Sequence, residues 1–81
     1  MQVTVKLFAI FQETFGKDEM VLDLPPESNV TAVFAALVAQ KPDLQQWESV
    51  LRYAVNLEFV SPETLLQEGD AVALIPPVSG G

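Results

Sequence analysis

The sequence predicts an α+β domain, a mixed β-sheet with one main helix across one face. Three observations carry that prediction. Two runs near the N-terminus alternate apolar and polar side chains, the middle of the chain holds one long apolar stripe at helical spacing, and the second half returns to short alternating runs stopped by Pro and Gly. With 81 residues, six prolines, four glycines and 49% hydrophobic side chains, the chain is long enough for one domain and too short for two. The expected division is a folded unit over residues 1–75 and a projecting C-terminal tail over 76–81.

The elements follow in order. In "QVTVKLF" the apolar Val3, Val5 and Leu7 alternate with Gln2, Thr4 and Lys6, the period of a half-buried strand. "AIFQETFG" breaks that alternation and ends in Gly16, so a short helical turn closed by glycine is expected. "DEMVLDL" restores it, with Met20, Leu22 and Leu24 on one face before Pro25 and Pro26 stop the strand. The first two strands make an opening hairpin. In "SNVTAVFAALVAQKP" either Ser28 or Asn29 can cap a helix whose stripe is Val30, Val33, Phe34, Leu37 and Val38, with Pro42 beyond its end. Asp43 is expected to cap a second, short helix through "LQQWESVL", turning Trp47 and Val50 or Leu51 inward. "RYAVN" reads as a strand with Tyr53 and Val55 on one face, "LEFVSP" as an edge strand stopped by Pro62, and "AVALI" as the last strand after the turn "EGD". A hairpin, a crossing helix and further strands suggest the β-grasp arrangement of ubiquitin-like domains, with the first and last strands parallel neighbours. The ferredoxin-like alternative would need a second full helix before its final strand.

Composition removes many functions. Eleven acidic against four basic residues give a net charge of −7, which repels phosphate backbones and anionic lipid, so neither nucleic acid nor membrane is an expected partner. The same charge serves solubility, or steers the domain toward a basic protein surface. No run approaches the roughly 20 apolar residues of a membrane span, and no secretory leader opens the chain, so a cytoplasmic location is expected. Histidine and cysteine are absent. Triads, thiol catalysis and His or Cys metal sites therefore fail at the first step, no metal is expected, and no Gly-rich phosphate loop is present. Eleven carboxylates are read as a solvated surface rather than as a glycosidase pair. The chain should have no catalytic side chains of its own and no permanently bound cofactor.

That directs attention to "PPVSGG". Gly80 and Gly81 offer no side-chain chemistry, which leaves the C-terminal carboxylate of Gly81. A carboxylate is a poor electrophile until it is joined to AMP from ATP, after which a sulfur nucleophile gives a thiocarboxylate and a lysine amine gives an isopeptide bond. Glycine suits both because no Cβ blocks the carbonyl. Pro76 and Pro77 stiffen the root.

The run "AVNLEFVSPETLLQEGDAVALIPPVSGG" resembles the C-terminal third of the small, sulfur-carrying subunit of molybdopterin synthase. "VKLFAIFQETFG" is similar to the first strand and turn of that family, and "GDAVALIPPVSGG" is the most specific part. The resemblance implies a sulfur carrier whose Gly81 carboxylate is adenylated by a ubiquitin-activating-type enzyme using ATP, and is then converted to a thiocarboxylate with sulfur from a donor. It further implies delivery to cyclic pyranopterin monophosphate in the large synthase subunit, building the molybdopterin dithiolene within a heterotetramer. The tail Pro76, Pro77, Val78, Ser79, Gly80 and Gly81 matches the family motif. Residues that dock on the large subunit match Phe8, Phe59 and Ile75, against the alternative that these three are core residues. Gln12 departs from the pattern, standing where the family often has arginine. Asn56 and "EGD" match as well and are read as turn formers. A related carrier for thiamine or tRNA thiolation and a ubiquitin-like protein modifier are the rival functions.

Overall fold

Alternation becomes structure in β1 (Gln2–Leu7), where Val3, Val5 and Leu7 are buried and Gln2 and Lys6 face solvent. A computed structural model describes residues 1–77, so Val78, Ser79, Gly80 and Gly81 lie outside the described residues. After Leu7 the chain reverses through Ala9, whose φ of 52° is in the region that favours glycine, and Phe8 accepts a hydrogen bond from the Phe11 amide at 3.0 Å. The short helix α1 (Ile10–Phe15) follows and ends as expected at Gly16, left-handed at φ 70°, whose amide donates to the Gln12 carbonyl. α1 contributes one fully buried side chain, Phe11, set edge-on to Phe34 with ring centroids 6.4 Å apart.

β2 (Glu19–Asp23) returns antiparallel to β1, pairing Val3 with Leu22 and Val5 with Met20. The main helix α2 (Val30–Gln40) is capped by Asn29, whose side chain accepts from the Ala32 amide at 3.2 Å. Its first turn has no acidic residue and its last turn no basic one, so the helix dipole is uncompensated. Burial outweighs that deficit. Val30, Val33, Phe34 and Leu37 are buried, each stabilising by about 1.5–3 kcal/mol, against about 1 kcal/mol for a cap.

The next segment departs from expectation. Pro42–Val50 is a 3₁₀ helix rather than an α-helix, and its N-cap position is Lys41, with Asp43 inside the first turn. At three residues per turn, side chains three apart eclipse one another. Leu44, Trp47 and Val50 therefore share one side, along which Leu44 is buried, Trp47 half-buried and Val50, at the helix end, 48% exposed; Leu51 just beyond is half-buried and packs on the core, as one of the two expected alternatives.

β3 (Arg52–Val55), β4 (Glu58–Val60) and β5 (Ala71–Ile75) complete a five-stranded sheet in the order β2-β1-β5-β3-β4. β1 and β5 run parallel at its centre, pairing Val5 with Val72 and Leu7 with Leu74. The other pairings are antiparallel. Val3, Val5, Leu7, Leu22, Tyr53, Val72 and Leu74 meet α2 on one face to form the core. Among the described residues, no helix is long and apolar enough to cross a membrane.

Candidate functional site

Among the described residues the opposite face of the sheet has no helix over it, and register decides what it displays. Glu19 pairs with Lys6, Lys6 with Ala73, Ala73 with Ala54 and Ala54 with Phe59, so these five form one row across all five strands. Arg52 pairs with Ile75 in the adjacent position along the same face. Phe59 is 67% exposed, so it does not fill the core beneath α2. Phe8 is 47% exposed and Ile75 half-buried. The three residues singled out from the sequence for docking thus stand on or beside the uncovered face, Phe8 and Ile75 toward the end where β5 leaves the sheet and Phe59 level with the middle of β5 on the edge strand.

That exit is shaped by side chains from distant parts of the chain. An open cleft of about 540 Å³ is walled by Phe8, Ile10, Trp47, Ile75, Pro76 and Pro77, with Glu13 as the charged residue of its lining. Pro76 is buried and Pro77 exposed, so packing continues one residue past β5. The remaining tail residues implicated in chemistry, Val78, Ser79, Gly80 and Gly81, lie outside the described residues.

Turn chemistry sets this register. The β3–β4 hairpin turns through Asn56 and Leu57, both at positive φ (51° and 73°), as a two-residue hairpin loop requires. The Asn56 side chain then reaches the turn before β5: its Oδ1 accepts from the Ala71 amide at 3.0 Å and its Nδ2 donates to Asp70 Oδ1 at 3.1 Å. Asp70 Oδ2 accepts from the Gln67 amide at 2.9 Å, and Gly69 adopts φ 84°. Asn56 and the "EGD" turn therefore clasp two loops together, which aligns Phe59 with β5. Gln12 is exposed in α1, near a shallow recess bordered by Lys6, Phe8, Asp18 and Glu19.

The electrostatics of the face are uneven. Lys6 pairs with Glu19, and that hydrogen bond, followed by the carboxylate's charge, raises the Lys6 ammonium above its ordinary value. Arg52 lies with its guanidinium carbon 6.0 Å from the Phe59 ring centroid, within cation–π range. The sequence reading passed over Arg52, although "RYAV" places it opposite in phase to the inward Tyr53. No group of three or more potential metal ligands occurs among the described residues.

A sheet in this order, with a parallel central pair and a main helix on one face, is the ubiquitin-like β-grasp. The chain belongs to the ThiS family, whose model matches residues 5–81. It is similar to the molybdopterin synthase sulfur carrier subunit of Chlamydomonas reinhardtii, 35% identical over 83 residues with 100% of both chains covered. Among solved structures it resembles small archaeal modifier protein 1 of Haloferax volcanii, at TM-score 0.80 and 26% identity with 95% of this chain and 98% of that one covered. It also resembles a chain in the complex of subunits 1 and 2 of the molybdopterin-converting factor of Helicobacter pylori, at TM-score 0.67 and 26% identity with 100% of each chain covered.

Proposed function

We propose that this chain is the sulfur-carrying small subunit of a cytoplasmic molybdopterin synthase. The observation that carries the reading is the placement of Phe8 and Ile75 in the cleft where β5 delivers the chain to "PPVSGG", with the exposed Phe59 on the same face two strands away. A surface that docks and a terminus that reacts are thereby joined by one proline pair. Similarity to a sulfur carrier subunit along the full chain, and to a chain found in a complex with a second subunit, supports the same reading.

In this reading the Gly81 carboxylate attacks the α-phosphorus of ATP on a ubiquitin-activating-type adenylating enzyme, releasing pyrophosphate and forming an acyl adenylate. Hydrosulfide then attacks the acyl carbon, displaces AMP and leaves a thiocarboxylate; a persulfide donor instead gives an acyl disulfide, which a second thiol cleaves to the same product while itself forming a disulfide with the donor. The folded domain docks on the large synthase subunit, and residues 76–81, at most about 20 Å when extended, carry the sulfur into that subunit's active site. Transfer to cyclic pyranopterin monophosphate returns Gly81 as a carboxylate, and two transfers complete the dithiolene. The domain's own side chains supply recognition, not catalysis. Two small subunits flank a dimer of large ones.

Intact mass tests the chemistry. Incubation with the adenylating enzyme, ATP and a sulfur source should add the mass difference between one sulfur and one oxygen, and deletion of Gly81 should abolish it. A second reading, a protein modifier, is favoured by the likeness to small archaeal modifier protein 1. Other proteins gaining the mass of this chain through lysine isopeptide bonds would select it instead.

A further inference from the structure

The open face carries a cation whose position constrains whatever covers it. Only four side chains of this chain are basic, Lys6, Lys17, Lys41 and Arg52, and two of them, Lys6 and Arg52, point from the open face. Lys6 has Glu19 beside it on the neighbouring strand. Among the described residues Arg52 has no carboxylate within ion-pair distance. Its guanidinium lies instead over the exposed ring of Phe59, while its backbone pairs with Ile75 at the root of the tail.

We propose that the partner docking on this face presents a carboxylate to Arg52, forming a desolvated ion pair at the centre of the apolar contact. The inference rests on the docking role assigned above. Its warrant is geometric: a partner that buries Phe59 must also strip water from the guanidinium beside it, 6.0 Å from the ring centroid. An unpaired cation taken out of water costs more than a buried ring returns, so the covering surface has to supply an acceptor. A carboxylate fits the planar fork of guanidinium donors two-pronged, and the nearby face of Phe59 attracts the same cation. A phosphate-bearing partner would satisfy the fork too, but seven net negative charges on this small domain oppose it.

The consequence is a reversal of sign between approach and contact. At long range the acidic domain is drawn to a basic surface. At Arg52 the complement is acidic. A basic surface without a carboxylate at that point would leave the guanidinium buried and unpaired, and would be rejected.

Calorimetric titration of the large synthase subunit with wild type, Arg52→Gln, Arg52→Lys, Arg52→Glu and Phe59→Ala tests this, with unfolding midpoints of each free variant as the control for folding. Arg52→Gln should weaken binding about thirtyfold or more, chiefly through faster dissociation. Arg52→Glu should weaken it further, and Arg52→Lys should recover only part because an ammonium lacks the fork. If Phe59→Ala loses affinity while Arg52→Gln and Arg52→Glu stay within about threefold of wild type, on the scale set by a buried charge pair, the docking role stands and the carboxylate is overturned. If wild type does not bind the large subunit at all, both fall.

Discussion

The two faces of the sheet are built from the same strands and differ in everything else. On the covered face nearly every position is a large aliphatic or aromatic side chain, Val3, Val5, Leu7, Leu22, Tyr53, Val72 and Leu74, all buried against α2. On the open face the middle is small or polar, Thr4, Lys6, Ala54, Ala71 and Ala73, and the large apolar groups are few: Val21 on β2, Phe59 on β4, and Phe8 and Ile75 beside the end of β5. A core needs apolar volume everywhere, since any void forfeits contacts. A docking surface needs it at few positions, where well-placed anchors carry most of the binding free energy.

That contrast is sharpest at two phenylalanines. Phe11→Ala removes a side chain with no exposed area and should cost about 3–5 kcal/mol of folding stability, a large share of the total for so small a domain. Chemical denaturation measures the loss, and the molecules still folded should bind the large subunit as wild type does. Phe59→Ala should behave in the opposite way, leaving stability within about 0.5 kcal/mol and lowering partner affinity by about 2 kcal/mol or more. A variant that unfolds easily yet binds normally would move Phe59 out of the docking surface.

The smallest effect is on the covered face at high pH. Burial, and secondarily the charge of Glu48, raises the Tyr53 hydroxyl above its ordinary value of 10.0. The folded state therefore keeps this proton at pH values where the unfolded chain has released it. Stability from this source is complete below pH 10 and is lost as pH rises through the folded value. Tyr53→Phe should flatten the alkaline decline in denaturation midpoint, and an unchanged decline would assign it to other groups.

Much of the covered face was legible in the sequence because it is written locally. Alternation in "QVTVKL", the stripe from Val30 to Leu37, the Asn29 cap and the Gly16 stop each depend on neighbours within a few residues. Within Pro42–Val50 the inward Trp47 was legible, and Leu51 rather than Val50 is the second residue to pack on the core, but the tighter winding and the burial of Leu44 carry no local mark in the sequence. The open face was harder for a different reason. Alternation in "LEFV" says that Phe59 and Glu58 point to opposite sides, not which side a helix covers; that follows from pairing Phe59 with Ala54, a contact between strands. Arg52 over Phe59 is likewise a diagonal relation across two strands. Leu57 carries no sequence signal for its left-handed backbone, which is imposed by the two-residue turn it completes.

The parallel pairing of β1 with β5 also fixes when the domain can form during synthesis. The central seam of the sheet joins its first strand to its last, so β1 must wait, unpaired on that edge, until nearly the whole domain has been made. Contacts so distant in sequence recover the entropy of loop closure late and slow the search for the native state. The β1–β2 hairpin and α2 can assemble early, but the seam, the Asn56 clasp and the row ending at Phe59 arise together at the end. The root of the tail and the uncovered face beside it are therefore completed only when β5 is in place, so a half-made domain presents neither in its final form.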